Sequence, residues 1–257
     1  MQRCIEPEWL DELPASDTRA HGARRDLRRV NWLMGNAAIL AKALRAAAPQ
    51  APRSIVDLGG GDGAVALALA RRLAPHWPSV RLTLVDRAAA VSRETIERIQ
   101  ETGWRIDVVA ADVFEWSRVG AAPFDIVVAN LFLHHFEDAG LRRLFAELAK
   151  RASVFAACEP RRDRLALVGS RLLFFIGCNK ITRHDAPASV RAGFAGRELS
   201  ALWPEANGWS LAERQAGWAS HLFLARRGQP GAGGTARGNA TTSRSSAAAR
   251  RAPRSPR

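Results

Sequence analysis

Five short apolar runs, most of them followed by a segment of helical pattern, fill the middle of the chain, and that alternation restricts the fold more than any other feature. The runs are "RSIVDL" (53–58), "VRLTLVD" (80–86), "WRIDVVAAD" (104–112), "FDIVVAN" (124–130) and "ASVFAACEP" (152–160). Between them lie "AVALALARRLA" (64–74, stopped by Pro75), the amphipathic "AAAVSRETIERIQ" (88–100), and "DAGLRRLFAELAKR" (138–151), with Leu141, Leu144, Phe145 and Leu148 on one face. Strands alternating with helices of this length predict a parallel sheet covered on both faces. The end of the chain breaks the rhythm. A helix-like "VRAGFAGRELSALW" (190–203) precedes "WSLAERQAG" and "WASHLFLAR", joined at Gly217 with no room for a crossover. Two strands that close must be antiparallel, so the sheet is expected to finish in a hairpin. "ARRDLRRVNWLMGNAAILAKALRAAA" (23–48) reads as continuous helix and is expected to pack over the ligand edge of the sheet.

Charge sets the next bounds. The net charge is +13, with 38 Lys and Arg against 25 Asp and Glu. Arg dominates, and the surplus is split between a tail and scattered pairs such as Arg24-Arg25, Arg28-Arg29, Arg71-Arg72, Arg142-Arg143 and Arg161-Arg162. Pairs spread over several helices do not form the single stripe of a nucleic-acid surface, so nucleic acid is not the expected partner. The segment after Gly228 is Gly, Ala, Ser, Pro and Arg without large apolar residues and is expected to be disordered. The domain reading is therefore a helical cap over 1–50, a ligand-binding α/β domain over 51–227 and a basic tail over 228–257.

The three cysteines at 4, 158 and 178 have no metal-ligand spacing, so no metal and no disulfide are expected. The acidic start has no apolar signal core, which fits a cytoplasmic protein. "LALVGSRLLFFIG" (165–177) is broken by Arg171 and is shorter than the about 20 residues of a bilayer span. A buried helix or a wall of the substrate site is expected there, with no membrane partner.

The stretch "VDLGGGDGA" (56–64) carries the chemistry. Gly59, Gly61 and Ala64 meet the G-x-G-x-x-G/A spacing of a dinucleotide loop, at the carboxyl end of the first strand where open sheets bind ligands. The acids argue for a different ligand. Asp57 before the glycines and Asp62 among them would repel a pyrophosphate, and Asp86, Asp112 and Asn130 close the later strands. Such a ring suits a positively charged nucleoside, with Asp86 able to take both ribose hydroxyls and Asp112 an exocyclic amine.

In "VDLGGGDGA", "LTLVDRA", "AADVFEW" and "FDIVVANLFLHHFEDAGLRRLFAELAK", in this order over about 54–160, the chain resembles the class I S-adenosylmethionine-dependent methyltransferases. The resemblance implies a Rossmann-like, doubly wound seven-stranded α/β sheet, mostly parallel, with a C-terminal antiparallel hairpin and an N-terminal helical cap. It implies S-adenosylmethionine as cofactor, with Asp57, Gly59, Gly61 and Gly63 along the methionine part, Asp86 on the ribose and Arg87 beside the adenine. Asp112 and Val113 would meet the adenine, and Asn130 and Leu131 would flank the sulfonium. In the small-molecule branch the cap (17–48) and the segment after the fifth strand (161–203) enclose the acceptor. The stretch "RRDLRRVNWLMGN" resembles the caps of bacterial enzymes of secondary metabolism.

These residues imply transfer of a methyl group to a small organic acceptor, preferably at oxygen. The alternatives are an RNA or protein methyltransferase that docks through the basic tail, and a non-catalytic cofactor-binding partner. A nicotinamide dehydrogenase is disfavoured by Asp57 and the hairpin. His134 and His135 after the fourth strand, and His184 in "TRHDAPASVRAGF", are the candidate bases, set against structural roles for each. Trp32, Met34, Phe174 and Phe175 are candidates for an apolar pocket, with core packing as the plain alternative. Methyl transfer from a sulfonium relies on positioning, so the residues leave the acceptor and the oligomeric state open.

Overall fold

The computed structural model describes residues 1–13, 17–88, 90–119, 122–204 and 208–228. The tail read as disordered thus lies outside the described residues from position 229 onward. The apolar runs form β1 (Ser54–Leu58), β2 (Arg81–Asp86), β3 (Arg105–Ala110), β4 (Phe124–Asn130) and β5 (Ala152–Pro160), all parallel. β6 (Trp209–Ala216) and β7 (Ser220–Arg227) close the sheet in the order 3-2-1-4-5-7-6, with β7 antiparallel to both neighbours. This is the expected α/β sheet with its terminal hairpin. Ile126 to Ala129 are buried on both faces, as a central parallel strand requires.

The helices arise from familiar local chemistry. Asp17 caps α2 (Thr18–Met34) by accepting from the Arg19 amide, and Gly35, at φ +70°, ends it and admits α3 (Asn36–Ala47). The long helix read through 23–48 is therefore two helices, because only a left-handed residue can turn the chain there. α4 (Ala64–Leu73) and α5 (Arg93–Gln100) follow β1 and β2, and α7 (Asp138–Arg151) follows β4. Short helices that the periodicity did not reveal are α1 (Trp9–Glu12), α6 (Val113–Arg118) and α8 (Arg164–Arg171). The helix expected over 190–203 is instead the end of α9 (Lys180–Ala192), a break, and α10 (Glu198–Leu202). The break is packed. A Cβ on Gly193 would come 2.2 Å from the Pro160 carbonyl oxygen, and the Phe194 amide bonds that oxygen at 3.0 Å.

Two apolar layers sandwich the sheet. On one face α3 and α4 pack Leu40, Leu44, Leu69 and Leu73 against Ile55, Leu82 and Ile126. On the other, Phe145, Phe155, Trp203 and Phe223 form a ring cluster, with Trp203 centroids 5.1, 5.5 and 5.6 Å from the other three. Arg161 and Arg162, read as part of the solvated arginine surplus, are buried at the end of β5. Arg162 donates to the carbonyls of Gly193 (2.9 Å) and Met1 (3.0 Å) and pairs with Glu198, while Arg161 donates to the Trp218 carbonyl at 2.6 Å. Trp203→Ala would open a cavity against three aromatic rings. A loss of about 3–5 kcal/mol in the urea unfolding free energy is expected, and a loss under 1 kcal/mol would show that the ring cluster is not the centre of this layer.

Candidate functional site

At the carboxyl edge of the sheet, β1 ends in the glycine loop. Gly59 (φ +69°) and Gly61 (φ +56°) both take the left-handed region. Gly59 is doubly constrained, since a Cβ there would lie 2.1 Å from the Phe132 ring. At Gly61 a Cβ would meet nothing within 4 Å, so its backbone borders open space. Gly63 is the N-cap of α4. Asp86 at the end of β2 clamps this loop: one oxygen accepts from the Gly61 amide at 2.9 Å, the other from the Ala88 amide at 2.8 Å. Arg87 is exposed just beyond it. Asp112 caps α6 through one oxygen, accepting from the Phe114 amide at 2.8 Å and the Glu115 amide at 3.3 Å, and Val113 is buried beneath.

Asp57 and Asn130 each bury an oxygen without a partner at this edge. Asp57 is 2% exposed, and its Oδ2 has no hydrogen-bond partner. Burial, with the Asp86 charge added, pushes its carboxyl up to about 7. The Asn130 Oδ1 is likewise buried without a partner, although its amide donates to Asn31 Oδ1 of α2 at 2.8 Å. Leu131 next to it sits at φ +49°, strained backbone for a non-glycine, and packs against the small cluster of Met34 of the cap, Ala166 of α8, Val190 and Ala219.

The cap reaches this edge by polar contacts that the sequence patterns did not disclose. Arg28 of α2 pairs with Asp62 of the loop at 2.6 Å. Asn31 accepts from Asn36 as well as from Asn130, and Asn36 accepts from the Ser220 hydroxyl at 2.6 Å. One chain of side chains thus joins α2, α3, β4 and β7.

The histidine pair separates clearly. His134 is 3% exposed, with Nδ1 2.8 Å from Glu159 Oε2 and Nε2 3.4 Å from Glu8 Oε1, a charge contact without a hydrogen bond. Burial works against a charged ring, but Glu159 and Glu8 outweigh it and hold His134 up at about 9. Burial also opposes the Glu8 charge, and the His134 partner outweighs it, holding Glu8 down at about 2. A ring that carries both protons at neutral pH has no lone pair to accept another. Both ring nitrogens of His134 thus face carboxylates, an arrangement that favours a structural role for this ring over the general base considered for it. Glu159, wholly buried at the end of β5, also accepts from the Phe132 and Leu133 amides at 3.1 and 3.0 Å, and so fixes the whole turn after β4. The visible signal for it was an acid closing an otherwise apolar strand. His135 stays half-buried beside His134, ring centroids 4.3 Å apart. Glu8, His134 and His135 bring ligand atoms within 4.8 Å of one another, a group that a search for cysteine spacing could not find. The two carboxylates flanking His134 suit its proton.

His184 belongs to a strap formed by the first thirteen residues. Its Nδ1 lies 2.9 Å from the adjacent Asp185, and its ring stacks on Trp9 at 3.7 Å. Asp185 caps α1 by accepting from the Trp9 and Leu10 amides. Arg3 binds Asp138 at 2.8 Å and the Phe136 carbonyl at 2.7 Å, and Glu6 pairs with Arg191 at 2.7 Å. His184, Asp185 and Arg191, which lie in the segment expected to enclose the acceptor, thus seat the strap.

Comparison with known proteins agrees with this geometry. Residues 55–152 match the family described as Methyltransferase domain. The chain is 34% identical over 80 residues to the tRNA1(Val) (adenine(37)-N6)-methyltransferase of Enterobacter sp. (strain 638), covering 30% of this chain and 31% of that one. It is 33% identical over 98 residues to cephaeline 6'-O-methyltransferase of Carapichea ipecacuanha, covering 38% and 24%. The chain thus spans a third or less of these curated relatives. Its fold is similar to an O-methyltransferase family protein from Burkholderia thailandensis (TM-score 0.60, 19% identity, 83% of this chain and 61% of that one). It is also similar to the plantazolicin methyltransferase BamL, solved with a triazolic desmethylPZN analog and SAH (TM-score 0.61, 13% identity, 84% and 92%). The chain has the class I methyltransferase fold, and S-adenosylmethionine is the cofactor that its methyltransferase domain implies. The residues fit that group. A buried, unpaired carboxylate at Asp57 and an open edge at Gly61 suit a cationic ligand.

Two pH effects follow. Asp57 must ionise to meet a cation, so cofactor affinity is expected to rise about tenfold between pH 5.5 and 7. Calorimetry of the Asp57→Asn variant should give a flat profile over that range; a variant that keeps the rise removes Asp57 from the account. The His134 ring, raised from 6.5 to about 9, contributes stability that is complete below pH 6.5 and lost as pH climbs to 9. Glu8, lowered from 4.5 to about 2, contributes above pH 4.5 and loses it as pH falls through 2. The melting temperature should fall from pH 6.5 to 9.5, and less steeply in His134→Gln. Parallel curves would show that His134 is not charged in the fold.

Proposed function

We propose that the chain transfers the methyl group of S-adenosylmethionine to a small organic acceptor, at oxygen. The observation that carries this reading is the unpaired Asp57 carboxylate buried at the foot of the glycine loop. A dinucleotide would place phosphate there and meet repulsion, whereas a ligand with an ammonium and a sulfonium supplies the missing partner. Asp57, Gly59, Gly61 and Gly63 would hold the methionine part, Asp86 the ribose, and Arg87, Asp112 and Val113 the adenine. The free oxygen of Asp112 is the one available to an amine, since the other caps α6. Asn130 and Leu131 would border the acceptor. When bound, the cofactor supplies an activated methyl group, and the protein's part is orientation and exclusion of water. α2, α8 and α9 close over Leu131 for that purpose. His135 is the remaining candidate base from the pair, for a hydroxyl that needs one.

The likeness to the tRNA-modifying relatives covers about a third of this chain, and after β4 the sequence reads "NLFL", without the "NPPY" type of motif of nitrogen methylation. The full chain and a chain ending at Arg227 should therefore label hydroxylated aromatic acceptors equally from methyl-labelled cofactor. Label on tRNA alone, lost with the tail, would replace this reading by nucleic-acid methylation. Asp86→Ala removes both the ribose acceptor and the clamp on Gly61, and should weaken cofactor binding by about 1.5–3 kcal/mol. Unchanged affinity would take Asp86 out of the site.

A further inference from the structure

The run 165–177, expected to be a buried helix or a wall of the substrate site, exposes several large apolar side chains. Leu165 and Val168 of α8 and Leu172 and Phe175 of the turn that follows it are all exposed, Phe175 at 78%. The buried face of the same helix carries Ala166 and Ser170, so α8 is apolar on the side it shows to solvent. The patch does not end there. The Trp218 ring packs over Gly169, where a Cβ would come 2.5 Å from it, and its Nε1 donates to the Leu33 carbonyl at 2.9 Å. Beyond Leu33 lies Trp32, 77% exposed. A shallow groove of about 450 Å³ joins the two sides, lined by Arg25, Arg28, Arg29, Trp32, Leu33 and Ile176.

Arginines rim the patch, and while Arg28 and Arg29 of the groove pair with Asp62 and Asp26, others do not. Arg164 and Arg171 sit one helical step beside the α8 stripe, and Arg25 borders the groove. Among the described residues, no acid pairs with any of these three. A second copy laid on the patch about a two-fold axis would bring these arginines against their own kind. The groove sets the apolar tips of Trp32, Leu33 and Ile176 beside the guanidinium groups of Arg25, Arg28 and Arg29, so apolar contact and positive charge are presented together. Aromatic and branched tips rimmed by arginine match the boundary of an anionic bilayer, where side chains enter the acyl region and guanidinium groups meet phosphate.

We propose that this face, α8 with the turn after it and the end of α2, docks on anionic membrane surfaces. Among the described residues no helix is long and apolar enough to cross the bilayer, so the contact proposed is with its surface. The docking revises the expectation of no membrane partner and stands whether or not the methyl-transfer reading does. It is tested by co-sedimentation with phosphatidylcholine vesicles with and without a quarter of phosphatidylglycerol. The full chain and the chain ending at Arg227 should both bind the anionic vesicles and should bind neutral ones at least tenfold more weakly. The double variants Leu172→Ser/Phe175→Ser and Arg25→Glu/Arg171→Glu alter exposed side chains only and should each lose at least tenfold in partitioning with an unchanged melting temperature. Binding that survives both variants, or that disappears only with the tail, overturns the proposal. So does a failure to bind vesicles, and a dimer that Leu172→Ser/Phe175→Ser dissolves would identify a second copy as the occupant instead.

Discussion

A carboxylate buried without a full set of partners organises this protein's ligand edge. Asp57 lies at the end of a central parallel strand, where burial is deepest and the helices that follow the strands leave the carboxyl edge open. Such a group is costly alone, and the cost is reduced when it is protonated, which its rise to about 7 expresses. Its neighbours do not relieve it. Asp86 is turned toward the amides of Gly61 and Ala88, and Asp62 is taken by Arg28. The edge therefore holds one acid in reserve, and its natural complement is a cation delivered with the ligand.

The second organising group, Glu159, works in the opposite way because it is fully satisfied. It gathers two backbone amides and the His134 ring, and His134 in turn meets Glu8 from the strap. The order of the turn after β4, the burial of His134 and the seating of the N-terminal residues are thus one arrangement. The cap is tied to the same place through Asn31 and Asn130. Elements separated by more than a hundred residues in sequence converge on the end of β4 and the turn after it.

Much of this was legible in the chain. The strands were, because parallel strands buried on both faces must be continuous apolar runs, and the hairpin was, because Gly217 leaves no room for a crossover. The glycine loop and the strand-end acids were readable from spacing and position. The rest was hidden for physical reasons. Short helices such as α6 depend on a single cap, Asp112, and carry too few turns for periodicity to register. The roles of His134 and His184 were invisible because Glu8, Glu159 and Trp9 reach them from distant segments. The run 165–177 misled because apolar composition ordinarily signals burial, and only the fold tells which side of α8 faces solvent. Arg161 and Arg162 misled in reverse, charged residues that the end of β5 buries against carbonyl oxygens.

The most direct test of the central claim is calorimetric titration of the purified chain with S-adenosylhomocysteine, S-adenosylmethionine and NAD in parallel. The account predicts micromolar binding of the first two and none of the third, because only the sulfur nucleosides bring an ammonium to Asp57 without a pyrophosphate. Binding of NAD with no response to either sulfur nucleoside would contradict it, and the glycine loop would then have to be understood as a dinucleotide site that tolerates a buried acid.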